Sequence, residues 1–448
     1  MSGARIYLGT VLTGAAGRRR ASRGVAVVNA ALILSLVGCA QPATTADVVR
    51  VPEDAATIGE AVDRVAEGGL VLVEPGTYRE SVLIDTAGVT LRGTDRNEVI
   101  IDGEGLRANG VQVIADGVRI QNLTVVNHTF NGVLVTGMHD ENGPLARNLD
   151  GYERLDPEQF PPLRRFEVSH VTASNNGLYG IYAFNSHDGV IRDSYASGSA
   201  DAGIYVGQCE DCGILVQGNV AENNAIGYEN ANASDSVLVA GNRFTGNRVG
   251  LTLLSWYQEA FLPQRAVTVV ANLIADNASA ESPAHANGAF GVGVGLSGAN
   301  DNVLERNLIA GNPSTGLQLT NTEDLASVGN RLDSNRFEQN GVDIADLSST
   351  RAPSGGTCVT GDPGVTVLPS DLLLSCEGAT SGGVDAASLP PLVVPPGMSF
   401  LRVPMGPDQP QLPGDADEVP APLPAAVDLP EIADFPVPGR DLLQDRAR

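Results

Sequence analysis

A glycine followed by an apolar–x–apolar triplet returns at near-constant spacing along this chain, and that repeat constrains the fold more than any other feature. The copies are Gly88-Val-Thr-Leu, Gly110-Val-Gln-Val, Gly132-Val-Leu-Val, Gly180-Ile-Tyr-Ala, Gly203-Ile-Tyr-Val, the imperfect Gly227-Tyr-Glu-Asn, Gly250-Leu-Thr-Leu, Gly293-Val-Gly-Leu, Gly316-Leu-Gln-Leu and Gly341-Val-Asp-Ile. Successive glycines lie 22 to 25 residues apart, except for gaps of 48 and 43 that add an insertion to one period. A second series runs between them as Asn-x4-Asn: Asn122/Asn127, Asn219/Asn224, Asn242/Asn247, Asn272/Asn277, Asn307/Asn312 and Asn335/Asn340. His170/Asn175 and Ser194/Ser199 fill the same slots in two further copies.

A period of this length, built of short alternating strands without a helical pattern, predicts one coil of a β-solenoid. Leucine-rich repeats need a Leu-x-x-Leu-x-Leu frame, and propeller blades need about 40 residues. In a solenoid, equivalent side chains stack one strand spacing apart, roughly 4.8 Å. Apolar side chains then fill the core, and asparagines at a bend bond the coils above and below. The asparagines therefore read as structural ladders. Thr57-Ile-Gly-Glu60 resembles a capping box, and Ile58, Ala61, Val62 and Val65 form an apolar stripe, which predicts a helix covering the first coil.

The flanks differ from this body. Arg18, Arg19, Arg20 and Arg23 precede an apolar run, Val25 to Val37, too short to span a bilayer and suited to a signal peptide. The run ends in Leu36-Val37-Gly38-Cys39, which resembles a bacterial lipobox and implies cleavage before Cys39 and lipidation of its sulfur. Four cysteines remain, and Cys209/Cys212 and Cys358/Cys376 read as two local disulfides in an oxidising compartment. Residues 390–448 hold 14 of the 27 prolines and predict an extended or disordered tail. The expected order is a signal peptide (1–38), a linker (39–50), the solenoid (51–348), a disulfide-closed cap (349–380) and the Pro-rich tail (381–448).

Net charge is −25, and the chain contains no Lys. A surface of that sign argues against nucleic acid, whose phosphates need a basic face.

The stretch Val51-Pro-Glu-Asp-Ala-Ala-Thr-Ile-Gly-Glu-Ala-Val, with Val73-Glu-Pro-Gly-Thr-Tyr-Arg-Glu80 and Gly88-Val-Thr-Leu-Arg-Gly93, resembles pectin-lyase-like proteins, including pectin methylesterases and NosD-type proteins. The resemblance covers about residues 51–348. It implies an all-β, right-handed parallel β-helix of three sheets and says little about activity. The catalytic signatures of pectin methylesterases, polygalacturonases and alginate epimerases are missing, as is the carboxylate cluster that holds calcium in pectate lyases.

Candidate chemistry follows from the middle residue of each triplet, which should point outward. That file reads Thr90, Gln112, Leu134, Tyr182, Tyr205, Glu229, Thr252, Gly295, Gln318 and Asp343. Tyr182, Tyr205 and Glu229 fall on consecutive coils and would suit a polysaccharide, aromatic faces stacking on sugar rings and the carboxylate accepting hydroxyl hydrogens. Insertions carry His139, Asp140 and Glu141, then Trp256, Tyr257 and Glu259, then His285, and could wall this face.

The expected function is a lipid-anchored protein on the extracytoplasmic face of the membrane, binding an envelope glycan through Tyr182, Tyr205, Glu229, Trp256 and Tyr257. The alternative is a lyase or C5-epimerase of uronic-acid polymers, with His187, Asp188 or His139 taking the proton and Arg192 neutralising the substrate carboxylate. A scaffold or NosD-like maturation role is a third reading. No motif calls for a cofactor or a metal site, with Ca2+ left open.

Overall fold

The computed structural model describes residues 45–448 apart from 142, 146–155, 157, 287, 322, 362–363, 373–383 and 387. The signal-peptide and lipobox readings, with Cys39, lie outside the described residues, as does Cys376.

Each regular coil contributes three short parallel strands, one to each of three walls. The first wall is a 12-stranded parallel sheet containing the glycine-led strands, among them Val133–Thr136, Ile181–Phe184, Ala202–Glu210, Ile226–Ser234 and Val249–Leu254. The second wall follows in sequence, with Ser186–Arg192, Ile214–Gln217, Val237–Ala240 and Val267–Val270. The third holds Tyr195–Ser197, Val220–Glu222, Arg243–Thr245 and Leu273–Ala275. Long strands such as Leu163–Ser174 run through both the second and third walls and join them into one 20-stranded sheet.

Inward positions of the first wall stack Ile181, Ile204, Tyr228, Leu251, Val294 and Leu317 one above another, all fully buried. The chain closes its first coil as the sequence predicts. A helix at Ile58–Arg64 is capped by the Thr57 side chain, which accepts from the Glu60 amide at 3.1 Å, and it buries Ile58, Ala61 and Val62. The Glu80 carboxylate accepts from the Ile58 and Gly59 amides, so negative charge sits where unpaired N–H groups point.

Two asparagine ladders hold the corners. One runs Ser194, Asn219, Asn242, Asn272, Asn307, Asn335, and the other Ser199, Asn224, Asn247, Asn277, Asn312, Asn340. The Asn242 oxygen accepts from the amide and side chain of Asn219, while its own amide groups donate to Asn272 Oδ1 and the Val216 carbonyl, all at 2.9 Å.

The early copies are shifted by one residue. Asn122, Asn127, His170 and Asn175 occupy the bend just before the ladder, with φ of 53° to 59°, and Val171 and Asn176 stand in the ladder positions after the latter two. Asparagine tolerates the left-handed bend, so one residue type serves two adjacent slots and the spacing alone does not separate them.

The tail is extended and lies on the solenoid. Arg248 donates to the carbonyls of Pro395 and Pro396, and Asn175 to those of Phe400 and Val403. Arg96 bonds Pro410, Arg92 bonds Ala416 and Glu418, and Arg119 bonds Ala421. The chain then returns along the second wall, where Val427, Leu429, Ile432 and Phe435 pack on Leu215, Leu238 and Val270. It ends over the third wall, with the Arg448 amide bonded to Glu222. Extended proline-rich chain has no hydrogen bonds of its own, so its carbonyls are free to accept from the solenoid's arginines.

Candidate functional site on the first wall

The register places Leu134, Tyr182, Tyr205, Glu229, Thr252, Gly295 and Gln318 in one outward file. Its ends differ from the sequence reading. Thr90 is fully buried on the second wall beside Leu70 and Arg119, and Leu83 takes its place ahead of Gln112. At the far end Ala345 lies opposite Gln318, while Asp343 lies two residues earlier, beside Gly316, and bonds Thr366. Gly88 and Gly110 thus stand 22 residues apart by coincidence, on different walls.

The tyrosines form a packed cluster. Tyr179 stacks on Tyr182 with ring centres 4.4 Å apart, Tyr182 meets Tyr205 edge-on at 4.7 Å, and Phe184 lies 5.2 Å from Tyr182. Tyr205 does not offer a face, because it is only 1% exposed. Its hydroxyl donates to Glu259 Oε1 at 2.7 Å, and burial together with Glu259 holds its pKa well above the ordinary value. Tyr182 keeps part of its ring accessible. Glu229, largely buried beside Tyr205, accepts from the Thr252 hydroxyl at 3.3 Å.

Two insertions rise at the strand ends. Asn232 holds the loop after Leu254 through the carbonyls of Trp256 and Glu259, and Gln208 accepts from the Ala260 amide. Gln208 also donates to Met138 Sδ, so both insertions meet on that side chain. Trp256 is half-buried and Tyr257 exposed, and His139 lies in an exposed two-residue strand. At the opposite edge His285 Nε2 approaches Asp201 Oδ1 at 3.5 Å. Cys209 and Cys212 form a buried disulfide at the exit of the Ala202–Glu210 strand; Cys358 is also disulfide-bonded.

The acid–base residues of the alternative reading stand elsewhere. Asn185 turns the chain with φ of 52°, and His187, Asp188 and Arg192 follow on the second wall. Asp188 pairs with Arg164 at 3.3 Å, and burial with the nearby Arg164 lowers the His187 pKa. Arg192 is held by Glu167 at 2.7 Å. Asp188 and Arg192 line a cavity of about 210 Å³ whose other side is the tail residues Leu423, Pro424, Val427 and Asp428. The structure therefore does not bring these three residues together with the tyrosine file. Among the described residues, no group of three or more His, Cys, Asp or Glu side chains is placed to hold a metal ion.

The family of right-handed β-helix regions matches residues 103–262. The body of this chain is a right-handed parallel β-helix. A comparison with curated proteins found no match. Similar solved structures include the A-module of the mannuronan C-5 epimerase AlgE4 of Azotobacter vinelandii, 18% identical, covering 66% of this chain and 87% of that one with a TM-score of 0.42. The A-module of AlgE6 from the same organism is 15% identical over 72% and 92%, with a TM-score of 0.44. The catalytic unit of an α-1,3-glucanase from Streptomyces thermodiastaticus is 14% identical over 76% and 71%, with a TM-score of 0.37. The likeness is one of fold.

Glu259, Asp201 and Tyr179 complete the site around the β-helix file. No local signal ties Glu259 to Tyr205, which lies 54 residues earlier. Tyr179 precedes its glycine by one residue, and in a Gly-x-apolar frame such a position reads as loop.

Proposed function

We propose that this β-helix binds a polysaccharide lengthwise along its first wall. The observation that carries the reading is the in-register file of Tyr182, Tyr205, Glu229 and Thr252, flanked by the loop of Trp256 and Tyr257 that Glu259 ties to Tyr205. A partly exposed tyrosine on a rigid, buried aromatic base presents a ring whose orientation costs little entropy to hold. Polar side chains one strand spacing apart match a polymer that runs along the axis. Tyr205 belongs to the base of this platform, and Tyr182, with Trp256 and Tyr257, supplies the contact surface.

The second and third walls are largely occupied by the tail, which leaves the first wall for a long ligand. The same proposal includes a lipid anchor at Cys39 on the extracytoplasmic side of the membrane, which the lipobox-like Leu36-Val37-Gly38-Cys39 supports. Retention on immobilised cell-wall and plant polysaccharides is the test. Tyr182→Ala and Trp256→Ala should each weaken binding by roughly tenfold, the value of one lost ring contact. Unchanged retention in both variants, or no retention of the parent chain, rejects the proposal.

A further inference from the structure

We infer that His170 is an acid-sensitive latch for the tail. Proton uptake by its imidazole releases the two tail passes that meet over it, residues 409–412 and 444–446, from the solenoid. The latch goes beyond the glycan-binding reading and does not depend on it.

The register stacks Asn122, His170, Asp193 and Gly218 at the bend between the second and third walls. All four take a left-handed backbone, with φ from 50° to 65°. Three of them hold the tail or its anchors. Asn122 Oδ1 accepts from the Leu412 amide at 2.7 Å. The Asp193 carbonyl accepts from Arg96, which also donates to the Pro410 carbonyl, both at 3.1 Å. The Gly218 carbonyl accepts from Arg446 at 2.8 Å, and the same guanidinium lies 3.7 Å from Asp193 Oδ1. The two passes also grip each other, because the Gln409 side chain donates to the Arg446 carbonyl at 2.8 Å.

His170 stands in the middle of this column, and its side chain bonds none of these groups. The residue is 8% exposed, and its Nδ1 has no hydrogen-bond partner among the described residues. Charged groups face it from four elements. Arg96 comes from the turn after Thr90–Gly93, Arg192 from Ser186–Arg192, Arg446 from the tail, and Asp193 from the adjoining bend. Asp445 adds a carboxylate beside Arg446, and Asp95 accepts from the Gln411 side chain at 3.0 Å.

An imidazolium at this position joins three guanidinium groups in a setting that water screens poorly. Burial, with Arg96, Arg192 and Arg446, outweighs Asp193 and lowers the His170 pKa to about 4. Arg96 and Arg446 are also the side chains that carry the docked passes, so the repulsion acts on the anchors themselves. Opening relieves it by admitting water. An imidazole that stays neutral when covered and titrates near 6.5 when open favours the docked tail above that pH. It favours the released tail as pH falls toward 4.

The test is hydrogen exchange of the full chain at pH 7 and pH 5, compared as protection factors so that intrinsic exchange rates cancel. Protection of the Gln409, Leu412 and Arg446 amides is expected to fall about tenfold at pH 5. The ceiling is roughly twentyfold, set by titration near 4 when covered and near 6.5 when open. The ladder amides of Asn219 and Asn242 should keep their protection. His170→Asn, which suits the bend, should hold tail protection at pH 5 within about twofold of its pH 7 value. His170→Arg should show the released tail at both pH values; Arg306 already occupies the same bend position with φ of 51°, so the backbone accepts this residue.

No fall in the parent chain, or an equal fall in His170→Asn, overturns the inference, the latter by assigning the response to carboxylates such as Asp193. Loss of ladder protection together with the tail also overturns it, because the whole solenoid is then opening. Should a variant fail to fold, the His170 imidazole resonance of the parent chain decides. Its titration must share the midpoint of tail release, and a different midpoint rejects the latch.

Discussion

The first and second walls of this β-helix share one architecture and differ in what their outward faces meet. On the first wall the outward file is polar and aromatic, lacks cations, and is flanked by insertions at both edges. On the second wall the outward residues are arginines, glutamates and aliphatics, and the proline-rich tail lies on them. Glu167 shows the character of that covered surface. Burial raises its pKa, but Arg192, Ser169 and Arg119 together outweigh burial and hold it below the ordinary value. Arg96, fully buried between the two layers, bonds Thr172, Val171, Asp193 and Pro410, and burial lowers its pKa to about 9. The same scaffold thus carries one face covered by its own tail and one face bordered by insertions at its strand ends. The difference shows that position in a coil, not residue chemistry alone, decides which polar groups can act.

The largest expected effect breaks both faces at once. Asn247→Ala removes the acceptor of Asn224 and the donors to Ala221, Thr245 and Asn277 in a fully buried ladder. Unsatisfied buried groups cost about 1–3 kcal/mol each, so a loss of roughly 3 kcal/mol or more is expected in urea or thermal unfolding. A change within measurement error would mean the ladder does not couple the coils.

The next prediction separates the faces. Arg96→Ala should expose the tail near Pro410 to hydrogen exchange and lower the melting temperature, while glycan retention by the folded chain stays unchanged. Equal loss of retention would show that the tail helps form the site. Smaller still, Tyr205→Phe removes one buried hydrogen bond to Glu259 and should cost about 1–2 kcal/mol, with faster exchange in the Trp256–Ala260 loop.

A last prediction uses pH. Burial lowers the His170 pKa to about 4, below its unfolded value near 6.5. The folded chain keeps this imidazole neutral, so its contribution is complete above pH 6.5 and is lost as pH falls toward 4. His170→Asn, which suits the left-handed bend, should flatten the decline in stability between pH 6.5 and 4. An identical decline would assign it to other groups.

How much of this was legible in the sequence varies by element. The coil repeat was readable because glycines and alternating apolar residues recur at fixed spacing, and the in-register neighbours Tyr182, Tyr205 and Glu229 followed from it. Register failed where one residue type fits two slots, as at Asn122 and Asn127, and where a corner glycine, Gly88, mimicked a strand-leading one. The capping helix was legible because Thr57 and Glu60 act locally. The course of the tail was not, because proline content fixes an extended conformation without fixing which carbonyl meets Arg92, Arg96 or Arg119. Burial of Tyr205 was hidden for the same reason, since its partner Glu259 comes from a distant insertion. His187 and Asp188 follow Tyr182 closely in the sequence, and no periodic signal there tells which wall they reach. The bend at Asn185 turns them onto another wall.

Hydrogen exchange of the full chain, with and without whichever polysaccharide it retains, shows which wall the polymer covers. Added protection is expected in Ile181–Phe184, Ala202–Glu210 and Ile226–Ser234, and none in Ser186–Arg192 or residues 421–428. Protection centred on the second wall or the tail, with the first-wall strands unchanged, would contradict it.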